Sequence, residues 1–191
     1  PALCKLFGHL PFIDQIIPMP SAPPTCDFYL PLMSAPHIFQ TRPETIPRDT
    51  PYITPDLKLT KQWKTWLSQQ PGRLKVGIVW QGNPDHPADW QRSLPFRVLN
   101  GLAHPDVTFI PLQLVHGGEQ LTDETALHIA DPGEQLDRDS GPFMDTAAIM
   151  SQLDLVIGSD TAVIHLAGAL HVPTWVALSI APDWRWMLDR D

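Results

Sequence analysis

Cysteine is scarce in this 191-residue chain, which carries only Cys4 and Cys26. Without a C-x-x-C pair they allow at most one bridge, so no disulfide framework is expected and a reducing compartment, the cytoplasm, is the expected location. Basic residues are also few. The 13 Lys and Arg stand against 21 Asp and Glu, a formal net charge of -8, and neither nucleic-acid phosphate nor an anionic membrane surface is an expected partner. No apolar run reaches the ~18–20 residues of a membrane helix, so no membrane insertion is expected, and no basic stretch followed by an apolar core opens the chain. The motifs G-x-x-x-x-G-K-[ST], G-x-G-x-x-G and G-x-S-x-G are missing, which removes the basis for kinase, NAD dehydrogenase and serine hydrolase readings. His9, His37, His86, His104, His116, His128 and His171 show neither H-x-x-x-H nor H-E-x-x-H spacing, so no metal site is expected.

What is present is enough apolar residue to fold, 43%, with an ordinary 18% of charge. Proline is abundant, 22 residues, and dense from Pro18 to Pro55, with Pro20, Pro23, Pro24, Pro31, Pro36, Pro43 and Pro47 between. A long helix or central strand is excluded there, because proline fixes φ and removes a backbone donor. Phe28, Tyr29, Leu30, Leu32, Met33, Ile38 and Phe39 are too apolar for a free linker, so residues 1–55 read as an ordered, extended segment lying against a neighbouring lobe. From residue 56 the texture changes, and 56–191 reads as one domain. The chain opens on Pro1 and closes on Asp191 directly after a Trp-rich stretch, which reads as a piece of a longer protein.

Leu57, Leu59, Trp63, Trp66 and Leu67 recur at helical spacing before Pro71-Gly72. Residues 74–80 (LKVGIVW) are apolar and β-branched, the pattern of a strand covered on both faces. The alternation continues with a helix over 95–102 carrying Pro95 in its first turn, a strand over 107–112, a third over 127–130, and a helix over 143–152. A strand over 153–157, a helix over 161–170, a strand over 174–178 and a helix starting at 183–188 complete it. Strands alternating with helices predict an α/β fold, a Rossmann-like parallel sheet with helices on both faces.

The chemistry concentrates at Gly158-Ser159-Asp160-Thr161, a tight turn between a strand and the helix AVIHLAGAL. Topology puts that turn at the carboxyl end of a strand, where ligands of such folds bind. The free N–H groups and partial positive charge of a helix N-terminus suit a diphosphate, and Thr161 adds a hydroxyl. Asp160 can accept from sugar or ribose hydroxyls, and His165 lies one turn into the helix. The bland alternatives are that Ser159 or Asp160 is an N-cap and His165 a satisfied core histidine. A second cluster, Gln81-Gly82-Asn83-Pro84 with His86, Asp89, Arg92 and Ser93, follows the first strand and can face the same crevice. Gln113 is a candidate for the nucleoside end or a strand-end cap. Asp145 is a candidate ligand or a charge stabilising a helix start, and Trp184-Arg185-Trp186 either stacks a base or sugar or packs an interface.

The residues D160-T161-A-V-I-H165-L166-A-G-A169 resemble the C-terminal lobe of glycosyltransferases that include the lipopolysaccharide heptosyltransferases. Still closer is the resemblance to bacterial glycosyltransferase-like domains found after tetratricopeptide repeats, carried by VGIVWQGNP, RSLP, PLQ, DTAAIMSQLDLVIGSDTAVIHLAGAL and PDWRWML. It spans about residues 74–191, and weakly 1–55. The resemblance implies the C-terminal lobe of a two-lobed GT-B transferase and a nucleotide-diphosphate sugar as donor, with no cofactor or metal. It also implies a hydroxyl acceptor and a tetratricopeptide region as possible partner. It assigns Asp160 to the donor sugar, Thr161, Ala162 and His165 to the diphosphate, and Arg92 to the place where heptosyltransferases use lysine. Ala162 departs from their usual glycine, which tightens the approach of backbone to phosphate. The catalytic base is expected on the other lobe, of which residues 1–55 are the tail, so turnover by this chain is expected to be weak or absent. The rival readings are a binding or scaffolding module that has lost transfer, and an epimerase-like enzyme on the same donor class.

Overall fold

The computed structural model describes residues 2–8, 10–19, 21–121 and 124–187; Pro1, His9, Pro20, Leu188 and Asp191, named above, lie outside the described residues. Four strands, β1 (Leu74–Val79), β2 (Val107–Pro111), β3 (Leu155–Ser159) and β4 (Thr174–Ala177), form a parallel sheet in the order β2-β1-β3-β4. Gly77 of β1 sits opposite Ile110 on one side and Val156 on the other, so β1 is a central strand and its near-continuous apolar run follows from burial on both faces. The α-helices are α1 (Cys4–Phe7), α2 (Ala35–Ile38), α3 (Leu57–Ser68), α4 (Asp89–Arg92), α5 (Met144–Met150) and α6 (Ala162–Ala169).

Side chains alternate across the sheet with the period of two. Val79, Ile110 and Val156 face the core that α3, α5 and α6 cover. Val76, Ile78, Trp80 and Phe109 face a second core, covered by the 3-10 helix Phe96–Leu102 and by Leu127. The sheet thus has helical cover on both sides, as the α/β pattern predicts. Helix α3 begins where the sequence places it because the Asp56 carboxylate accepts from the N–H groups of Lys58 and Leu59 at 2.8 and 2.9 Å. Glycine at 158 is required by close approach: a Cβ there would lie 2.3 Å from Val79 Cγ1 and 2.4 Å from the Val79 carbonyl oxygen.

Three expected elements differ. The strand over 127–130 is a single bridge, Phe109 to Ile129, because Pro132 denies the segment a further donor. The helix over 95–102 is a 3-10 helix with Pro95 just before it, since Asn100 and Gly101 disfavour the α form. Within the helix expected from 183 the described residues form a short 3-10 turn, Trp184–Trp186.

The proline-rich segment touches the lobe at its two ends. Leu6, Leu10 and Ile53 are buried in the same core as α3, α5 and α6, and the N–H groups of Tyr52 and Ile53 both donate to the Ala169 carbonyl at the end of α6. Between those ends Phe28, Tyr29, Leu32, Met33, Ile38 and Phe39 face outward, with Phe28 92% and Leu32 85% exposed.

Candidate functional site

The strand order reverses between β1 and β3: the chain steps outward from β1 to β2, then returns to the far side of β1 for β3 and β4. At such a switch point the loops leaving the two strands diverge and open a crevice at their carboxyl ends. The two sequence clusters are those loops. Residues 81–93 leave β1, and residues 159–161 leave β3 to enter α6.

The β1 loop is held from several sides. Gln113, just past β2, accepts from the N–H groups of Trp80 and Gln81 at 3.1 and 3.0 Å and donates to the Gln81 carbonyl at 2.9 Å. Gly82 donates to Ser93 Oγ at 3.0 Å. Asp89 is buried, and its carboxylate accepts from Arg92 Nε at 3.2 Å. The guanidinium lies directly on Gly82, where a Cβ would meet Asp89 Oδ1 at 2.5 Å and Arg92 Nη2 at 2.7 Å, so glycine at 82 makes room for the arginine. Arg92 then crosses the crevice and donates through Nη1 to the Asp160 carbonyl at 3.4 Å.

On the β3 side the start of α6 is left open. Thr161 is the N-cap residue in an extended conformation, yet its side chain makes no cap hydrogen bond. Its Oγ1 is buried without a partner, as is the Oγ of fully buried Ser159. The first N–H groups of a helix have no intrahelical acceptor, and here no side-chain oxygen of the N-cap takes them. Thr161 and Ala162 line two clefts that meet at this point. One, of about 600 Å³, is lined also by Gln81, Gly82, Asn83, Arg92 and Gln113. The other, of about 530 Å³, is lined by Arg92, Asp160, His165 and Arg185.

The second cleft carries mixed charge. Arg185 binds Asp183 through Nε and Nη2 at 2.7 and 3.0 Å, and this hydrogen bonding holds the Asp183 carboxyl down at about 2. The same pairing, with Asp160 nearby, raises the guanidinium above its ordinary range. Asp160 Oδ2 accepts from Trp186 Nε1 at 2.9 Å, and Oδ1 lies 3.4 Å from His165 Nε2.

Of the residues singled out in the sequence, Gln81, Gly82, Asn83, Arg92, Gln113, Asp160, Thr161, Ala162 and His165 line one or both clefts. Ser159 is sealed beneath them. Asp145 does not join them: it is buried at the start of α5, where its carboxylate accepts from Trp63 Nε1 at 2.7 Å, from Asp137 N at 3.0 Å and from Ser140 Oγ. It stands in the first turn of α5, beside a separate cleft that Trp63 and Ser140 also line. Asp183 was not singled out, and Arg185 only within the Trp184-Arg185-Trp186 triplet, because nothing in the local pattern tells that the turn carrying them folds back beside α6; both line the second cleft.

Fold and site together define a parallel α/β lobe with a crevice at its switch point. No family model matches the chain. Protein FlbA of Caulobacter vibrioides is 30% identical over 146 residues, which are 74% of this chain and 24% of that protein, so the chain spans about a quarter of its curated relative. Solved structures similar to it include the E. coli ADP-heptose LPS heptosyltransferase II, with a TM-score of 0.47 and 14% identity over 70% of this chain and 41% of that one. Another is E. coli heptosyltransferase WaaC with ADP-2-deoxy-2-fluoro heptose, with a TM-score of 0.41 and 17% identity over 62% and 37%.

Proposed function

We propose that the crevice binds a nucleotide-diphosphate sugar and that the lobe serves a glycosyltransferase delivering the sugar to a hydroxyl acceptor. The observation that carries this reading is the uncapped start of α6, with an unpartnered Thr161 hydroxyl and Arg92 at the meeting point of two clefts. A diphosphate placed there receives helix N–H groups and a guanidinium, both of which favour an anion. The nucleoside then extends toward Gln81, Asn83 and Gln113, and the sugar toward Asp160, with His165 beside the diphosphate. The sequence resemblance supports Asp160 on the sugar and Thr161, Ala162, His165 and Arg92 on the diphosphate.

In this reading the sugar carbon takes its bond from the acceptor oxygen as the bond to the diphosphate breaks. The negative charge that develops on the leaving phosphate is met by the α6 N-terminus, Thr161 and Arg92, without a metal. Charge stabilisation of this kind supplies a large share of a rate enhancement. The base that removes the acceptor proton comes from another lobe of the parent protein, so this chain alone binds donor and turns over weakly.

A second reading, a non-catalytic nucleotide-sugar-binding or scaffolding module attached to a tetratricopeptide region, is favoured by one observation. Three carboxylates around the crevice, Asp89, Asp160 and Asp183, are held by Arg92, Trp186 and Arg185 respectively. No helix among the described residues is long and apolar enough to cross a membrane, and the cytoplasm is the location we propose. Calorimetric titration with UDP, GDP and ADP tests the site: one of the three binds under this proposal, and a chain indifferent to all three removes it.

A further inference from the structure

The indole of Trp186 touches Asp160, which the donor reading assigns to the sugar, and His165, which it assigns to the diphosphate. Its Nε1 donates to Asp160 Oδ2 at 2.9 Å, and its ring stacks on the imidazole of His165 with centroids 5.3 Å apart and planes 20° apart. Trp186 is presented by a locked turn: the Asp183 carboxylate accepts from the backbone N–H of Arg185 at 2.9 Å and grips the Arg185 side chain. The indole itself is half-buried against the core that α6 covers.

An aspartate in a loop turns freely about its side-chain bonds unless something holds it. Here the exposed His165, at 3.4 Å, is a loose partner, whereas tryptophan is a donor only and bonds the carboxylate from one fixed side. The indole takes only one lone pair of Oδ2, so Oδ1, beside His165, and the rest of Oδ2 remain to accept from a ligand in the cleft that Asp160, Thr161 and His165 line together. A ligand with hydroxyl donors on adjacent carbons matches such a carboxylate.

We infer that Trp186 is a positioning residue of this site, fixing Asp160 to accept from sugar hydroxyls and His165 to face the cleft, so that it sets the preference for a sugar-bearing donor over the bare nucleoside diphosphate. This rests on the donor-site reading above. Trp186 itself touches no ligand; it acts through the two side chains it holds.

The test is a titration of the chain and of Trp186→Phe and Trp186→Ala with three pairs of ligands: UDP and UDP-glucose, GDP and GDP-mannose, ADP and ADP-glucose. Phenylalanine keeps the stack on His165 and removes the donor to Asp160. For the pair that binds, Trp186→Phe weakens the sugar-bearing ligand about tenfold, the scale of one hydrogen bond to a charged group, and leaves the diphosphate within about twofold. Trp186→Ala, which loses the stack as well, weakens both. Equal weakening of the two ligands by Trp186→Phe, or none of either, overturns the inference. A wild-type chain that binds none of the six overturns the donor-site reading and this role with it. The contact itself is read without ligand from the Trp186 indole N–H resonance. It exchanges slowly and moves on Asp160→Asn if the bond to Asp160 stands, and an indole in free exchange overturns the inference even where donor binding is strong.

Discussion

Trp63 donates its indole N–H to the carboxylate of Asp145 at 2.7 Å across 82 residues of chain, joining the inner face of α3 to the first turn of α5. The bond is buried, and Asp145 also takes the N–H of Asp137 and the hydroxyl of Ser140. Asp145→Ala strands three donors. Each buried donor left unmatched costs about 1–3 kcal/mol, so a loss of about 3 kcal/mol is expected in urea unfolding. Diphosphate affinity measured well below the midpoint stays unchanged. A weakened affinity in a folded variant would return Asp145 to the list of ligand contacts.

Gly158 gives a second stability test with a different physical cause. A methyl group at this position runs into the side chain and the carbonyl of Val79 on the neighbouring strand. The carbonyl cannot swing aside as a flexible side chain does. Gly158→Ala therefore costs about 3 kcal/mol, at the upper part of the range for overpacked cores, whereas Gly101→Ala, with nothing within 4 Å of the new carbon, leaves thermal unfolding nearly unmoved or slightly raised.

Thr161 separates stability from binding. Its hydroxyl has no partner in the folded chain, and a buried unpaired hydroxyl is a cost that an isosteric methyl removes. Thr161→Val is expected to be as stable as the parent or slightly more so. Under the donor reading it loses a hydrogen bond to phosphate, and diphosphate binding falls by about tenfold or more. A variant that gains stability and keeps full affinity would mean that the hydroxyl never meets the ligand.

The sheet was largely legible because residues 74–80, 107–112, 153–157 and 174–178 each carry a short apolar, β-branched run that has no other use than a buried strand. The loops at the switch point were legible for a topological reason: once the strands are parallel, their carboxyl ends share one rim. What the sequence did not disclose are contacts between distant segments. Residues 127–130 carry the right side chains for a strand, but pairing depends on donors that Pro132 interrupts. Asp145 looks alike whether it faces a ligand or Trp63, and Trp186 looks like any packing aromatic until its turn is seen against Asp160. Asp137 gave no signal at all, although it organises the approach to α5.

That last residue carries a prediction about pH. Asp137 Oδ1 accepts from the N–H groups of Asp145 and Thr146 at 2.6 and 3.0 Å, and Oδ2 from Phe143 N and Thr146 Oγ1 at 2.9 and 2.6 Å. Burial raises its carboxyl above the ordinary value of 3.8, and it outweighs the lowering by these four bonds. The folded chain therefore binds this proton more tightly than the unfolded chain. From 3.8 up to the folded value the native state holds more protons, so this group's contribution to stability falls as pH rises and levels off above. Asp137→Asn has no such titration, and it turns an amide N–H₂ toward groups that are themselves donors, so it is the less stable protein throughout. The gap between parent and variant, read from urea midpoints in steps from pH 4 to pH 8, should be widest at the acid end and narrow with rising pH. A gap that widens toward neutral pH would mean that the four donors, not burial, dominate the carboxyl, and that the charged form is the one the α5 start is built to hold.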